Sequence, residues 1–306
     1  MPQNFPEVWL GRVVQNLNNA DNAEFLNGIE EIPVDVTQIN QGTVTEKNKI
    51  YVPTTDFEVD VLVNNTSYPI ALQEYDDDTI EINLDKYQTK VVTLPDDDVL
   101  GASYDKIDQS TRAATRSILV NKYKRAIHAL APEANDDKTP VLTTSGEDDG
   151  SGRKMLTYDD LVKFKRACDK AGFNQGERRL ILCDDHWNDL LMDRKRFGNL
   201  LVNYSQGSPA PIIAGFNIYR YDNMPVYDTS ALTKEAVGAT DGDGKYAASV
   251  AFVKEGVAKK TGLTKQYYVP ASSNTTGQAN ELAYRHYFIA VPYKKERIGA
   301  IVSQAV

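Results

Sequence analysis

Cys183 and His186, with Asp184 and Asp185 between them, are the residues in this sequence best suited to nucleophilic chemistry: a thiol, a base three positions on, and carboxylates to orient it. Such a cysteine reacts only as a thiolate in an exposed, electropositive setting. The run "RRLILCD" (178–184) implies the opposite, a strand that is apolar at its centre and buried on both faces. On that reading Cys183 ends the strand, Asp184 or Asp185 caps the helix that follows, and Trp187 sits in the core.

The loop "GATDGDGK" (238–245) has the glycine content of a phosphate loop, but its first glycine is misplaced and Lys245 is followed by Tyr246 where Ser or Thr is needed. It is no calcium loop either, because the twelfth residue from Asp241 is Phe252 and not a carboxylate. His128 and His286 fall on separate periodic elements, and the acid runs at 76–78 and 96–98 suit turns and helix caps. No catalytic, cofactor-binding or metal-binding residue is expected, no cofactor, and no enzyme activity.

The distribution of charge is more informative. Residues 1–100 carry 19 acids and 5 bases, a balance of −14, while residues 101–306 carry 24 acids and 29 bases, a balance of +5. An acidic stretch of this size implies a basic surface to meet it, and the nearest one is the rest of the same protein, in the same subunit or a neighbour's. A net charge of −9 argues against sequence-specific DNA binding, which calls for a clustered basic face. Nowhere do eighteen apolar residues run together, so no membrane span is expected. Cys168 and Cys183 give no disulfide framework, and the N-terminus lacks a signal-peptide pattern, which suits synthesis in a reducing cytoplasm.

The elements that must position these groups follow from apolar spacing. Residues 7–17, "EVWLGRVVQNL", place Trp9 and Val13 on one helical face, with a second apolar group at Phe25, Leu26 and Ile29. That arm is too small for a core of its own. From about 32 to 95, alternation of Phe57, Val59, Val61 and Val63, then of Ile80, Ile82 and Leu84, predicts strands joined by turns such as "NNTSYP" (64–69). A long β-hairpin of this kind buries too little to stand alone. After "DDDV" at 96, an apolar stripe through Ile107, Thr111, Ile118, Tyr123, Ile127 and Leu130 predicts a helix of about 33 residues, near 50 Å at about 1.5 Å per residue, closed by Pro132.

Residues 133–153 read as an exposed polar connector. The helix 157–172 follows, opening at Thr157, turning Leu161, Phe164 and Cys168 inward and ending at Gly172; then come strand 178–184, helix 185–198, two short strands around "YDNMP", strand 246–256, and strands 265–270, 281–292 and 297–303. The fold class is α+β. The aromatic residues Trp9, Tyr51, Phe57, Tyr68, Tyr75 and Tyr87 lie in segments that cannot fold alone; they either anchor contacts between subunits or fill this subunit's own core.

An arm, a long hairpin, a long helix, an α/β region and a final strand pair, in that order, resembles the major capsid protein of tailed bacteriophages with the Hong Kong 97-type fold. "FPEVWLGRVVQNL" looks like the arm of phage coat proteins, "INLDKYQTKVVTLPDDD" and "SYDKIDQSTRAATRSILVNKYKRAI" like their hairpin exit and spine helix, and "ERRLILCDDHWNDLL" and "IAGFNIYRYDNMP" like elements of their axial domain.

The resemblance implies an N-terminal arm (1–33), an E-loop β-hairpin (34–95), a peripheral domain with the spine helix (96–138 and 262–293) and an axial domain (139–261 and 294–306). It implies self-assembly through hexamers and pentamers into an icosahedral head that encloses dsDNA without reading its sequence. A portal protein and a decoration protein would be partners, and a separate scaffolding protein is expected because no long helical segment precedes the arm. No lysine lies between Lys49 and Lys86, so the autocatalytic lysine–asparagine crosslinks of some relatives are not expected. Candidate contacts between subunits are Trp9, Val13, Phe57, Glu58, Asp60, Tyr68, Tyr75, Asp76 and Asp77 on the acidic side, and Arg112, Arg116, Lys122 and Lys124 on the spine. An encapsulin-like shell enclosing enzyme cargo would share this layout, and a hydrolase or nucleotide-binding enzyme on the α/β region would lack every motif it needs.

Overall fold

A computed structural model describes residues 23–33, 37–40, 43–46, 49–54, 61, 63–66, 69, 72–73, 78–96, 106–173, 176–192, 202–203, 208–209, 211–274 and 276–306. The chain divides into two compact units, one made of residues 1–32 and 86–306 and the other of Pro33–Asp85.

In the larger unit a mixed sheet separates two apolar layers. Its strands are β7 (Val141–Thr143), β8 (Arg178–Leu182), β11 (Ile212–Ile213), β12 (Phe216–Arg220), β13 (Val226–Asp228), β14 (Thr233–Lys234), β15 (Lys245–Val253) and β18 (Ile298–Val302). They run in the order β11-β12-β8-β15-β13-β14, with β18 on β15 and β7 on β18. β8 is parallel to β12 and antiparallel to β15, and every residue of it is buried, as its unbroken apolar centre predicts. Leu180 and Leu182 point to one layer, Ile181 and Cys183 to the other. Two short pairs, β9 (Val202–Asn203) with β10 (Ser208–Pro209) and β11 with β12, follow β8 along the chain; the second turns at Ala214 and Gly215, both at positive φ.

The first layer is closed by α2 (Tyr158–Lys170). Thr157 accepts from the Asp160 amide and Asp160 reaches back to the Thr157 amide, a capping box, while Gly172 at φ 77° ends the helix. Leu161, Phe164 and Cys168 are fully buried, as their spacing predicts. α3 (Asp184–Met192) follows β8 directly; the expected continuation to 198 lies outside the described residues. Trp187 is half-buried under Arg220, and the residue that fills the core is His186. The connector 133–153 departs from its exposed reading. Val141 is buried, and β7 pairs in parallel with β18, so three apolar or hydroxyl residues inside a polar stretch suffice for an edge strand.

The second layer lies under α1 (Lys106–Ala129), whose Thr111, Ile118, Tyr123 and Ile127 are buried at the predicted spacing. The residues expected to begin this helix, 97–105, lie outside those described. At its C-terminal end, the Lys234 ammonium donates to the carbonyls of His128 and Ala131 and pairs with Glu133 at 2.9 Å, and the Tyr227 hydroxyl donates to the Pro132 carbonyl. Carbonyls left over by the helix are thus satisfied by the sheet. α1 packs on an antiparallel ribbon of β16 (Val257–Val269) and β17 (Ala279–Pro292), with a bulge between Thr261 and Thr264. β5 (Asp85–Gln88) and β6 (Val92–Pro95) pair with the other edge of β17.

Residues 23–32, within the expected arm, find in the larger unit a surface to pack on. Phe25, Leu26 and Ile29 are buried in the layer under α1, with Phe25 edge-on to Tyr221 at 5.4 Å. Arg179 donates to the carbonyls of Phe25 and Asn27 at 2.8 and 2.7 Å, and Lys260 to that of Ile32 at 2.9 Å.

The smaller unit holds two ribbons, β1 (Thr37–Asn40) with β2 (Thr43–Glu46) and β3 (Lys49–Thr54) with β4 (Asp78–Asn83). Ile50 and Ile82 stand opposite each other and are buried. The strand expected through Val61 and Val63 is not formed there. Asn64 takes a left-handed φ of 55° in a turn, which ends the alternation.

Candidate functional site

The end of β8 and the first turn of α3 bring Cys183 and His186 into a polar cluster with Ser249 of β15 and Ser303, just past β18. His186 Nδ1 lies 2.7 Å from Ser249 Oγ and Nε2 lies 2.9 Å from Ser303 Oγ. Ser249 Oγ is 3.7 Å from Cys183 Sγ, as a donor, and accepts from the Cys183 amide at 3.2 Å. A neutral ring with its proton on Nδ1 satisfies all of these: it donates to Ser249, Ser249 donates to the thiol, and Ser303 donates to Nε2. Behind it, Arg153 holds both oxygens of Asp189 at 2.8 and 2.9 Å and Asp149 at 2.9 Å, and the Leu156 amide donates to Asp189.

This cluster cannot act as a thiolate–imidazolium pair. His186 is fully buried, and burial pulls its pKa down to about 4; burial pushes the Cys183 thiol up to about 12. Both groups are uncharged near pH 7, and a serine stands between them. The arrangement is a buried hydrogen-bond network that ties β8, α3, β15 and β18 together.

The loop "GATDGDGK" is a tight turn. Gly242 and Lys245 exchange backbone hydrogen bonds across Asp243 and Gly244, both at positive φ, and Lys245 pairs with Glu235 at 2.7 Å. Its lysine is engaged by a carboxylate and leads straight into β15.

What the larger unit presents outward is the solvent side of α1. Among Lys106–Ala129 the one acid is Asp108, against six Lys and Arg. Arg112, Arg116 and Arg125 are exposed and Lys124 is half-buried, all away from the packed stripe; Arg112 pairs with Asp108 at 3.0 Å. Lys122 is a correction to the expected contact set. It is only 5% exposed, with its ammonium 4.7 and 4.6 Å from the ring centroids of Tyr123 and Phe288, so it serves the interface between α1 and β17. The register explains this: Lys122 precedes Tyr123 on the buried arc, one turn past Ile118. Trp9, Val13, Phe57, Glu58, Asp60, Tyr68, Tyr75, Asp76 and Asp77 lie outside the described residues.

No family model and no curated protein matches this sequence. Solved structures do. The capsid of cyanophage P-SCSP1u superposes with a TM-score of 0.61, covering 89% of this chain and 88% of its own at 13% identity. The head structure of the Helicobacter pylori bacteriophage KHP40 gives 0.60 over 90% and 96% at 10% identity. The fold is that of phage capsid proteins. A virus-like particle from Pyrococcus furiosus gives 0.56 over 96% and 98% at 10% identity, so the same architecture extends to a particle from that organism. At such identities the likeness resides in the order and packing of elements, which is where the sequence resemblance to tailed-phage coat proteins also lay. Among the described residues no group of His, Cys, Asp and Glu is placed to hold a metal ion, and no helix is long and apolar enough to cross a membrane.

Proposed function

We propose that this chain is the major capsid protein of a tailed bacteriophage, a Hong Kong 97-type subunit that assembles through hexamers and pentamers into the icosahedral head around dsDNA. The observation that carries the reading is the likeness to phage capsids over nearly the full length of both chains, 89% and 88% for the cyanophage capsid. In this reading the unit Pro33–Asp85 supplies most of the E-loop, α1 is the spine of the peripheral domain, and the mixed sheet is the axial domain. A scaffolding protein and a portal protein are its assembly partners, a decoration protein is compatible with it, and the virion is its location.

The polar cluster fits this role as internal bracing, and the basic face of α1 as a surface for a neighbour. Sedimentation velocity of the purified chain tests the reading: capsomers or shells many times the subunit mass are expected, and a lone 34.1 kDa species at all concentrations and salt conditions would overturn it.

A further inference from the structure

α1 runs alongside β17. Thr111 Oγ1 lies 3.2 Å from the Tyr284 hydroxyl, and the Lys122 ammonium lies 4.6 Å from the Phe288 ring centroid. Between those two contacts the helix covers about 16 Å and the strand about 14 Å. Side chains alternate along a strand, so His286, midway between Tyr284 and Phe288, faces the same stretch of helix. It is 2% exposed, and Thr115 of that stretch is 3% exposed. On β16, Thr264 stands opposite His286 and Gln266 opposite Tyr284. Gln266 and His286 are therefore diagonal neighbours on one face, about 7 Å apart, with polar ends that can reach a common point.

Three polar atoms in this place are buried with no hydrogen-bond partner among the described residues: Nε2 of His286, and both Nε2 and Oε1 of Gln266. The groups around them are engaged. Thr264 Oγ1 is 2.9 Å from His286 Nδ1, and the Thr115 hydroxyl donates to the Thr111 carbonyl at 2.9 Å. Buried orphans that gather in one spot are met in folded proteins by an enclosed guest. Its chemistry follows from the donor set. The carboxamide of Gln266 both donates and accepts, which disfavours a simple ion, since an anion would meet Oε1 and a cation the amide N–H groups. The imidazole is neutral, because burial, and then Lys122, pull its pKa down to about 4. A small neutral molecule that donates and accepts at once suits the carboxamide and either tautomer of the ring. We infer that an ordered water molecule bridges the Gln266 carboxamide and His286 Nε2, and is a fixed part of the seat of α1 on the β16–β17 ribbon.

The site lies within one subunit, so free subunits and assembled particles both serve to test it, whatever the chain assembles into. A density map of the full chain, at a resolution that shows ordered water, should hold a peak within hydrogen-bond distance of the Gln266 carboxamide and of His286 Nε2. A map in which the two side chains bond directly to each other or to another protein group, with no peak between them, overturns the inference. A crystal soaked in bromide that gives an anomalous signal at this point also overturns it, because the guest is then an anion. Thermal unfolding gives a second readout. Gln266→Leu strands His286 Nε2 and should lower the midpoint, whereas Gln266→Leu with His286→Leu removes all three orphaned atoms and should recover most of that loss. A double variant no more stable than the single one would show that the two groups share no guest.

Discussion

Replacing Arg153 by Met isolates the role of the buried cluster. The Arg153 and Asp189 side chains are 8% and 1% exposed and joined by two bonds of 2.8 and 2.9 Å. Without the guanidinium, Asp189 keeps only the Leu156 amide at 2.8 Å among its described partners, and a carboxylate of that burial is left uncompensated. Breaking one side of a buried ion pair costs about 3–5 kcal/mol, a large share of the roughly 5–15 kcal/mol that holds a domain folded. With a urea slope of about 3 kcal/mol per M, the midpoint of unassembled subunits should fall by about 1–1.7 M. Arg153→Met with Asp189→Leu removes both charges and should recover most of that loss. A shift below about 0.3 M in the single variant, or a double variant no more stable than the single, would refute the assignment of this cluster as an ion-paired brace.

Acid should weaken the subunit through two histidines. Burial pulls both His186 and His286 down to about 4, with Lys122 also acting on His286, so each is neutral when folded and takes up a proton near 6.5 when unfolded. Their contribution is complete above pH 6.5 and is lost as pH falls from there to 4, about 3 kcal/mol each; urea midpoints constant between pH 7 and 4.5 would contradict it. Gly299→Ala places a Cβ 2.9 Å from the Phe164 ring and 3.1 Å from the Pro140 carbonyl, and thermal unfolding should show a loss of about 1–3 kcal/mol. Thr157→Ala removes half of the capping box of α2 and should cost about 1 kcal/mol by the same measurement; an unchanged midpoint would mean that Ser145, which also bonds Asp160, suffices.

Where apolar spacing was strong, the sequence was enough. The stripe of α1, the inward Leu161, Phe164 and Cys168 of α2 and the doubly buried β8 could be read because each repeats a helical or strand period over several residues. What was not legible was long-range pairing. β7 is three residues in a polar stretch, and only its partner β18 makes it a strand. That residues 23–32 need a surface to pack on could be read, but not which one, because the cations that hold them, Arg179 and Lys260, come from about 150 and 230 positions away. The cluster around His186 was half visible: Cys183 and His186 share one stretch of sequence, but Ser249, Ser303 and Arg153 converge on them only through the sheet. Lys122 shows the limit of treating charge as surface, since its stem and ammonium fill a gap between two aromatic rings.

The central claim is that this chain builds a closed shell. Cryo-electron microscopy of the particles formed by the full chain, co-expressed with its scaffolding partner if shells need one, tests it directly. Closed icosahedral particles are expected, in which copies of this chain surround both fivefold and sixfold positions. Monomers under every assembly condition, or particles without fivefold vertices, would contradict it.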